Sequence, residues 1–376
     1  MTQKLYDAAV VGGGPAGAAV AIELALAGRS VVVFEKERGP HDKVCGEFMS
    51  HEGAGYLTRL GVSLSALGAV PISSVTLSRQ GEAVEAALPF QAHSLSRRLL
   101  DEAILRRAAD AGAEVRRGAR VKSVAAHSGA WSVSLDSGET VVAGHAFIAT
   151  GKHDLKDWKR PPGAQPNLIA FKTYWRLAPD QTRALDGTVE LILFPGGYAG
   201  LQLVEDGRAN LCLLVQKRAF ASRYRSWEGL LAQMLESSAH LKMRLAGAAC
   251  LLDRPLAITR LPYGHVAASS AGPWLVGDQA AVIPSFSGDG MSIALHSAHR
   301  ASQCFLGQCD AAGFQEMFAE DVSAQVGRAT ALSQLLVSDA GQRMARAVAG
   351  IFPQVMPLGA RLTRISSRLL PSNGLA

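Results

Sequence analysis

Apolar and polar positions alternate along this chain with two different periods. Tyr6 to Val11 is a continuous apolar run that stops at a cluster of glycines, and Ala18 to Ala27 is apolar without Pro or Gly. A buried strand followed by a helix is the expected reading, with Ser30 to Phe34 as a second buried strand ending at Glu35. Val141 to Ile148 and Trp274 to Val276 read as further strands. The segments Ser73 to Leu88, Leu168 to Leu177, Val189 to Phe194, Tyr198 to Val204 and Ala209 to Val215 instead alternate as half-buried strands do. Pro195-Gly196-Gly197 and Glu205-Asp206-Gly207 supply turns between them, so an antiparallel sheet is predicted. Met291 to Phe305 lacks Pro and Gly and predicts a helix, and Ala311 to Ala376 is mostly helical in pattern. No internal repeat or low-complexity tract interrupts this order.

Composition narrows the class. The chain has 376 residues, 48% of them hydrophobic and 19% charged, which is enough apolar material for a large core and excludes disorder. The net charge of +6 is spread along the sequence, whereas a nucleic-acid binder concentrates its basic residues, so no nucleic-acid partner is expected. Ala8 to Gly28 is apolar enough to resemble a membrane span, but Gly12, Gly13, Gly14, Pro15 and Glu23 break it. It has neither the leader nor the cleavage site of a signal peptide. Cys45, Cys212, Cys250, Cys304 and Cys309 show no paired spacing and are expected to be free thiols in a reducing, cytoplasmic setting. No CxxC or HExxH occurs. His296 and His299 stand at i, i+3 and are expected to be two polar residues of one helix, with no metal between them.

Gly12-Gly13-Gly14-Pro15-Ala16-Gly17 joins the first strand to the first helix, which is the setting of a dinucleotide fingerprint. Gly12 permits the tight turn, Gly14 lets a pyrophosphate approach the backbone, and Gly17 lets the helix pack closely on the strands. The N-terminus of the helix at Ala16 offers free N–H groups to phosphate. Glu35, with Lys36 beside it, lies where a carboxylate accepts ribose hydroxyls. This fingerprint alone does not separate NAD from FAD. Two later segments do: the strand ending in Ala149-Thr150-Gly151, and the short strand ending in Gly277-Asp278, followed by Pro284 and Ser287-Gly288-Asp289-Gly290-Met291.

With these motifs the chain resembles FAD-dependent oxidoreductases built like p-hydroxybenzoate hydroxylase, and in particular the geranylgeranyl reductase family. The resemblance implies that Asp278 binds the ribityl chain of FAD and that Gly288, Gly290 and Met291 pass the flavin ring. Lys43-Val44-Cys45-Gly46-Glu47 resembles the family's Lys-x-Cys-Gly segment, which reaches the flavin. Ser96-Arg97-Arg98-Leu99-Leu100-Asp101 resembles its Arg-x-x-(Phe/Leu)-Asp helix start, implying Arg97 at the FAD phosphates. Val121, in the strand after that helix, matches a position whose backbone holds the adenine. The fold class so implied is α/β (α+β): a Rossmann-type FAD-binding domain (1–72 with 91–155 and 265–305), an inserted antiparallel-sheet substrate domain (73–90 with 156–264), and a helical C-terminal region (306–376).

A helix beginning at the Gly288-Asp289-Gly290 loop would aim its dipole at the flavin and stabilise the anionic reduced form. Asp289 is equally placed for a plain helix N-cap. For reduction of a carbon–carbon double bond a proton must reach the second carbon. Cys45 is the leading candidate donor, with Glu47 and Tyr198 as further candidates for the proton or for orienting the substrate. The expected substrate is apolar: a prenyl, lipid or polyketide chain. Gly200 stands where the related family carries tryptophan, so the pocket wall differs. Lys152-His153-Asp154 replaces the Asp-Gly motif of flavin hydroxylases, and no Trp-x-Trp-x-Ile-Pro stretch of a flavin halogenase occurs. No second GxGxxG provides a nicotinamide domain, so electrons come from transient NAD(P)H or from a donor protein. Flavin monooxygenation of an aromatic or polyketide substrate is the alternative, and a non-catalytic flavin-binding protein the third reading. After Asp339 the chain has Arg343, Arg346, Arg361, Arg364 and Arg368 and no acid, a pattern open both to peripheral contact with anionic lipid and to a helix pair packed on the body.

Overall fold

The computed structural model describes residues 5–268 and 272–370. The ends of the expected first and last segments, 1–4 and 371–376, lie outside the described residues, as do 269–271 within the third FAD segment. In chain order the strands are β1 (Leu5–Val11), β2 (Val31–Glu35), β3 (Phe48–Met49), β4 (Val70–Arg79), β5 (Glu82–Ser94), β6 (Glu114–Arg117), β7 (Val121–His127), β8 (Ala130–Leu135), β9 (Thr140–Ile148), β10 (Leu168–Arg176), β11 (Thr188–Phe194), β12 (Gly197–Leu203), β13 (Ala209–Gln216), β14 (Ala249–Cys250), β15 (Leu256–Ile258) and β16 (Trp274–Leu275). The helices are α1 (Pro15–Leu26), α2 (His51–Arg59), α3 (Arg97–Asp110), α4 (Pro179–Leu185), α5 (Lys217–Ala219), α6 (Trp227–Ser237), α7 (Ala239–Arg244), α8 (Gly290–Leu306), α9 (Ala311–Leu336), α10 (Asp339–Ile351) and α11 (Val355–Leu362).

Two sheets organise the molecule. The first runs β6-β2-β1-β9-β8-β7, with β16 joining β9, and its β6, β2, β1, β9 and β16 are parallel. β1 and β2 read as unbroken apolar runs because helices cover one face and β7–β8 and their loops the other. α1, α3 and α8 pack on the first face through Ala18, Ile22, Leu100, Ile104, Ile293 and Leu295. α1 is apolar all round because it lies in the middle of this layer, with Ala18 to Ile22 almost without exposure.

The second sheet runs β14-β10-β13-β12-β11-β4-β5-β3, with β15 joining β10. It is mixed rather than antiparallel as the pattern suggested, because β11 pairs with β4 in parallel, Leu191 opposite Leu77. Only a long crossover can bring two strands together that way, and the intervening chain forms most of the first sheet. The run Ser73 to Leu88 is likewise two strands. They turn at Gln80 and Gly81, both at positive φ (53° and 91°), as a two-residue hairpin requires. One more expectation fails: Cys304 and Cys309 are joined in a disulfide, their Cα atoms 5.0 Å apart. The turn after α8 folds the chain back, with the Cys309 N–H on the Cys304 carbonyl. Cys45, Cys212 and Cys250 are free.

Candidate active site

The glycine turn has the shape the sequence implied. Gly12 has φ of 108°, and a Cβ there would stand 2.4 Å from the Ala149 carbonyl oxygen. A Cβ on Gly17 would meet the Gly12 carbonyl oxygen at 2.0 Å, so only glycine lets α1 sit this close to β1. No side chain caps α1 at Gly14, and the N–H groups of its first turn therefore remain available to an anion. Ala16 is drawn against Gly277, where an added Cβ would come within 2.9 Å of the Ala16 Cβ. The start of α1 and the Gly277-Asp278 turn are thus neighbours, although far apart in sequence.

Glu35 at the end of β2 is buried. Its Oε2 accepts the Gly13 N–H at 2.9 Å and its Oε1 the Glu37 N–H, which holds the carboxylate beside the turn. The N–H groups of Gly118 and Ala119 donate to the carbonyls of Glu37 and Glu35. That brings Val121, at the start of β7, to the same edge; β6 intervenes between α3 and this strand. Lys36 stands half-exposed beside Glu37. Gly151 has φ of 63° and gives its carbonyl to Gln279.

Arg97 begins α3, and its guanidinium grips Asp101 with two hydrogen bonds of 2.6 and 2.8 Å. Lys43 binds the same carboxylate at 2.8 Å. The Arg97 Nη2 comes within 3.6 Å of where a Gly14 Cβ would be, so a positive group faces the glycine turn. Burial opposes the charge on Arg97, yet Asp101 and the Cys45 sulfur, which it also hydrogen-bonds, raise its pKa further. Burial would raise the Asp101 carboxyl, but Arg97 and Lys43 outweigh it and hold it below the usual range.

The Cys45–Glu47 segment crosses between the two sheets. Asn210 on β13 donates to the carbonyls of Cys45 and Gly46, and Gln202 on β12 donates to Gly46. Nothing would crowd a Cβ at Gly46, so that side is open. Glu47 follows at φ of 62° and is fully buried. Its carboxylate takes Lys172 Nζ at 2.5 Å, the Tyr174 hydroxyl at 2.7 Å and the Arg97 N–H at 2.8 Å. Burial nevertheless pushes its pKa up, against the charge of Lys172. Glu47 is therefore occupied as an anchor of the segment, not free beside a substrate. Lys172 and Tyr174 were invisible to sequence reasoning, since a lysine in a strand gives no sign of a partner so distant.

Register shows what faces this segment. Lys172, Cys212, Gly200 and Leu191 are successive cross-strand neighbours on β10, β13, β12 and β11, and Ala170, Leu214, Tyr198 and Leu193 form the next row. A Cβ on Gly200 would have only the Cys212 carbonyl near it, at 3.8 Å, so the sheet has room there. Burial drives the Cys212 thiol up to about 12, with the nearby Cys45 adding to the effect. Tyr198 is buried with a hydroxyl that has no partner in hydrogen-bonding geometry, and burial raises its pKa, as it does that of neighbouring Tyr263.

The second glycine loop departs from the capping role expected of Asp289. Gly288 has φ of 67°, and a Cβ there would strike the Phe48 ring at 2.5 Å; Gly290 opens α8, and Met291 is core. Asp289 caps nothing. Its side chain is fully buried and takes Ser50, Gln325 and Arg364, the last at 3.1 Å. Burial, against the pull of Arg364, raises the carboxyl to about 6. No side chain caps the N-terminus of α8, so the N–H groups of its first turn remain available. His296 bonds Tyr56 and Asp321, and His299 bonds Glu23; no cluster of three or more His, Cys, Asp or Glu suited to a metal ion occurs among the described residues.

Two uncapped helix N-termini, glycines where a Cβ would clash, a buried carboxylate at the end of β2 and an arginine at the glycine turn together fit a dinucleotide. The comparisons agree. Residues 5–143 match the FAD binding domain family. The chain is a flavoprotein of the FAD-dependent oxidoreductase and monooxygenase type. It is 28% identical to a menaquinone reductase of Mycolicibacterium smegmatis over 79% of this chain and 75% of that protein. A shorter stretch, 23% of this chain and 18% of the other, is 36% identical to squalene monooxygenase of Candida glabrata. Among solved structures, the myxobacterial chondrochloren halogenase CndH superposes with a TM-score of 0.76 at 17% identity, covering 98% of this chain and 95% of that one. A flavoprotein/dehydrogenase of Cytophaga hutchinsonii gives 0.74 at 15% identity, covering 96% of each. At such identities the structures establish the fold.

Proposed function

We propose that this flavoprotein reduces a carbon–carbon double bond of an apolar, isoprenoid or quinone-type substrate. The observation that carries the reading is the sheet face opposite the glycine loops, where Leu191, Leu193, Ala170 and Leu214 surround the room left by Gly200. Cys212 and Lys172 lie in the same row, but the Lys172 ammonium is taken up by Glu47 and Tyr174, so the face recognises a hydrocarbon chain chiefly by burial. The relatives' names point the same way, since menaquinone and squalene are both water-insoluble isoprenoids.

Bound FAD supplies two-electron hydride chemistry. The chain's own residues do the rest. Arg97, Glu35 and the N–H groups at Gly14 to Gly17 hold the dinucleotide, with Lys43, Asp278, Gly288 and Met291 along its length. Asn210 and Gln202 fix the carbonyls of Cys45 and Gly46, and Glu47 with Lys172 locks the next residue, so Cys45 is held at the open edge of the segment. Cys45 delivers the proton to the second carbon, and Tyr198 orients the chain from the sheet. NADPH, acting transiently, is the proposed reductant.

The test begins with the FAD-loaded protein, reduced by NADPH without oxygen and mixed with menaquinone in detergent. Reoxidation of the flavin is expected, with a product that remains heavier by two hydrogens after its quinone ring has been reoxidised; a product that returns to the starting mass would show ring reduction and overturn the reading. A product heavier by one oxygen, formed only after air is admitted, would overturn it in favour of monooxygenation.

A further inference from the structure

The C-terminal helix pair is apolar on both sides. On its inner side Ala345, Ala349 and Met356 pack with Tyr198, Leu193 and Leu214, the same cluster that borders the room above Gly200. On its outer side Met344, Val348 and Ile351 recur at i, i+4 and i+7 along α10, and Phe352, Leu358 and Leu362 continue the stripe through the turn and α11. All six are exposed, and the turn residues Ile351 and Phe352 are most so, at 71% and 62%. A helix apolar on both faces calls for an apolar neighbour on each, and the described residues supply only one of them.

Charge indicates the second neighbour. Arg361 and Arg368 are exposed around this stripe, Arg343 is exposed but paired with Asp339, and no acid follows Asp339. Arg346 and Arg364 are taken inward, by Glu82 and Asp289. A second copy of the chain docking about a two-fold axis would set these arginines against themselves with no carboxylate from 340 to 370 to match them. An anionic lipid surface meets both the apolar stripe and the arginines. No helix among the described residues is long and apolar enough to cross a membrane, and α10 and α11, at 13 and 8 residues, suit the boundary region instead.

We infer that α10, α11 and the turn between them form an interfacial platform that rests on anionic bilayers. The platform is fixed to the body of the protein: Gln325 donates to the Thr363 carbonyl, Arg328 to the Leu362 carbonyl, and Arg364 grips Asp289 at the start of α8. The inference stands on the surface alone and holds whichever reaction the flavin site performs.

The test is co-sedimentation of the full-length FAD-loaded protein with vesicles of phosphatidylcholine alone or with one quarter phosphatidylglycerol. Binding to the anionic vesicles at low salt is expected, falling at least tenfold in I351E/F352E and in R361Q/R368Q, with flavin content unchanged in both. Both pairs are exposed, so these variants should fold, and the flavin band reports whether they do. Equal binding of wild type and variants, or no binding to either vesicle, would overturn the platform. So would a wild-type dimer in light scattering that I351E/F352E dissolves without any vesicle binding.

Discussion

The two sheets bury their polar groups in opposite ways. Around the nucleotide sheet the specialised residues are glycines, with Glu35 accepting N–H groups of its own turn two and twenty-two residues away. In the substrate sheet the specialised residues are charges under full cover: Lys172 with Glu47, and Glu190 with Arg244 and His240. A glycine turn is a local solution that needs no distant partner. A buried ion pair is stable only when its partner arrives, so it ties folding of one part of the molecule to another. The Cys45–Glu47 segment is where the second strategy supports the first, because the carboxylate held by Lys172 also accepts the N–H of Arg97.

The strongest way to break this contrast is Lys172→Met. Glu47 would be left charged and unpaired in a dry interior, and a loss of about 3–5 kcal/mol in denaturant unfolding is expected. Adding Glu47→Gln should recover a large part of it; a double variant as unstable as the sum of the two singles would show that the pair is not coupled.

Asp289→Asn is expected to cost less, on the order of 2 kcal/mol below about pH 4 and less at pH 7, since Ser50 and Gln325 still partner the side chain and the parent's buried carboxylate is itself disfavoured once ionised. Its pH dependence has a definite sign. The folded protein holds this proton up to about pH 6, while the unfolded chain releases it near the ordinary carboxyl value of 3.8. Its contribution is therefore full below about pH 4 and is lost as pH rises to about 6. Urea midpoints measured across that range should show the decline in the parent protein and a shallower one in the variant.

Glu35→Ala probes the other sheet. Without a carboxylate at the end of β2, FAD dissociation should rise about tenfold, near 1.4 kcal/mol, with little change in unfolding of the apo-protein. Unchanged flavin content after gel filtration would remove Glu35 from the nucleotide site. The smallest structural effect is expected from Cys45→Ser, which should keep its flavin and its stability while turnover falls about tenfold. Undiminished turnover would leave Cys45 as a packing residue.

Much of the nucleotide half was legible because its signals are local. The order of strand, glycine turn, helix and acid is written within residues 6 to 35, and steric rules alone exclude other residues at Gly12 and Gly17. Strand pattern also located β10 to β13 within a residue or two. It did not foresee the parallel pairing of β4 with β11, since strand period says nothing about which neighbour a strand takes. Asp289 looked like a cap because position before a helix is a local cue, yet Arg364, 75 residues on, claimed its side chain. Cys304 and Cys309 looked unpaired because nothing in their spacing announced the turn that closes between them.

By itself, then, the sequence determined the local backbone: where strands and helices run, where only glycine fits, and which end of the first helix offers N–H groups to a phosphate. Those outcomes depend on sterics and hydrogen bonding between residues close in the chain. Tertiary structure alone decided that Glu47 is an anchor and that Gly200 opens room beside Cys212 and Lys172. It also decided that α10 and α11 present apolar surface on both sides. These depend on which distant groups share a low-dielectric interior, and Tyr174 reaches Glu47 across 127 residues of chain.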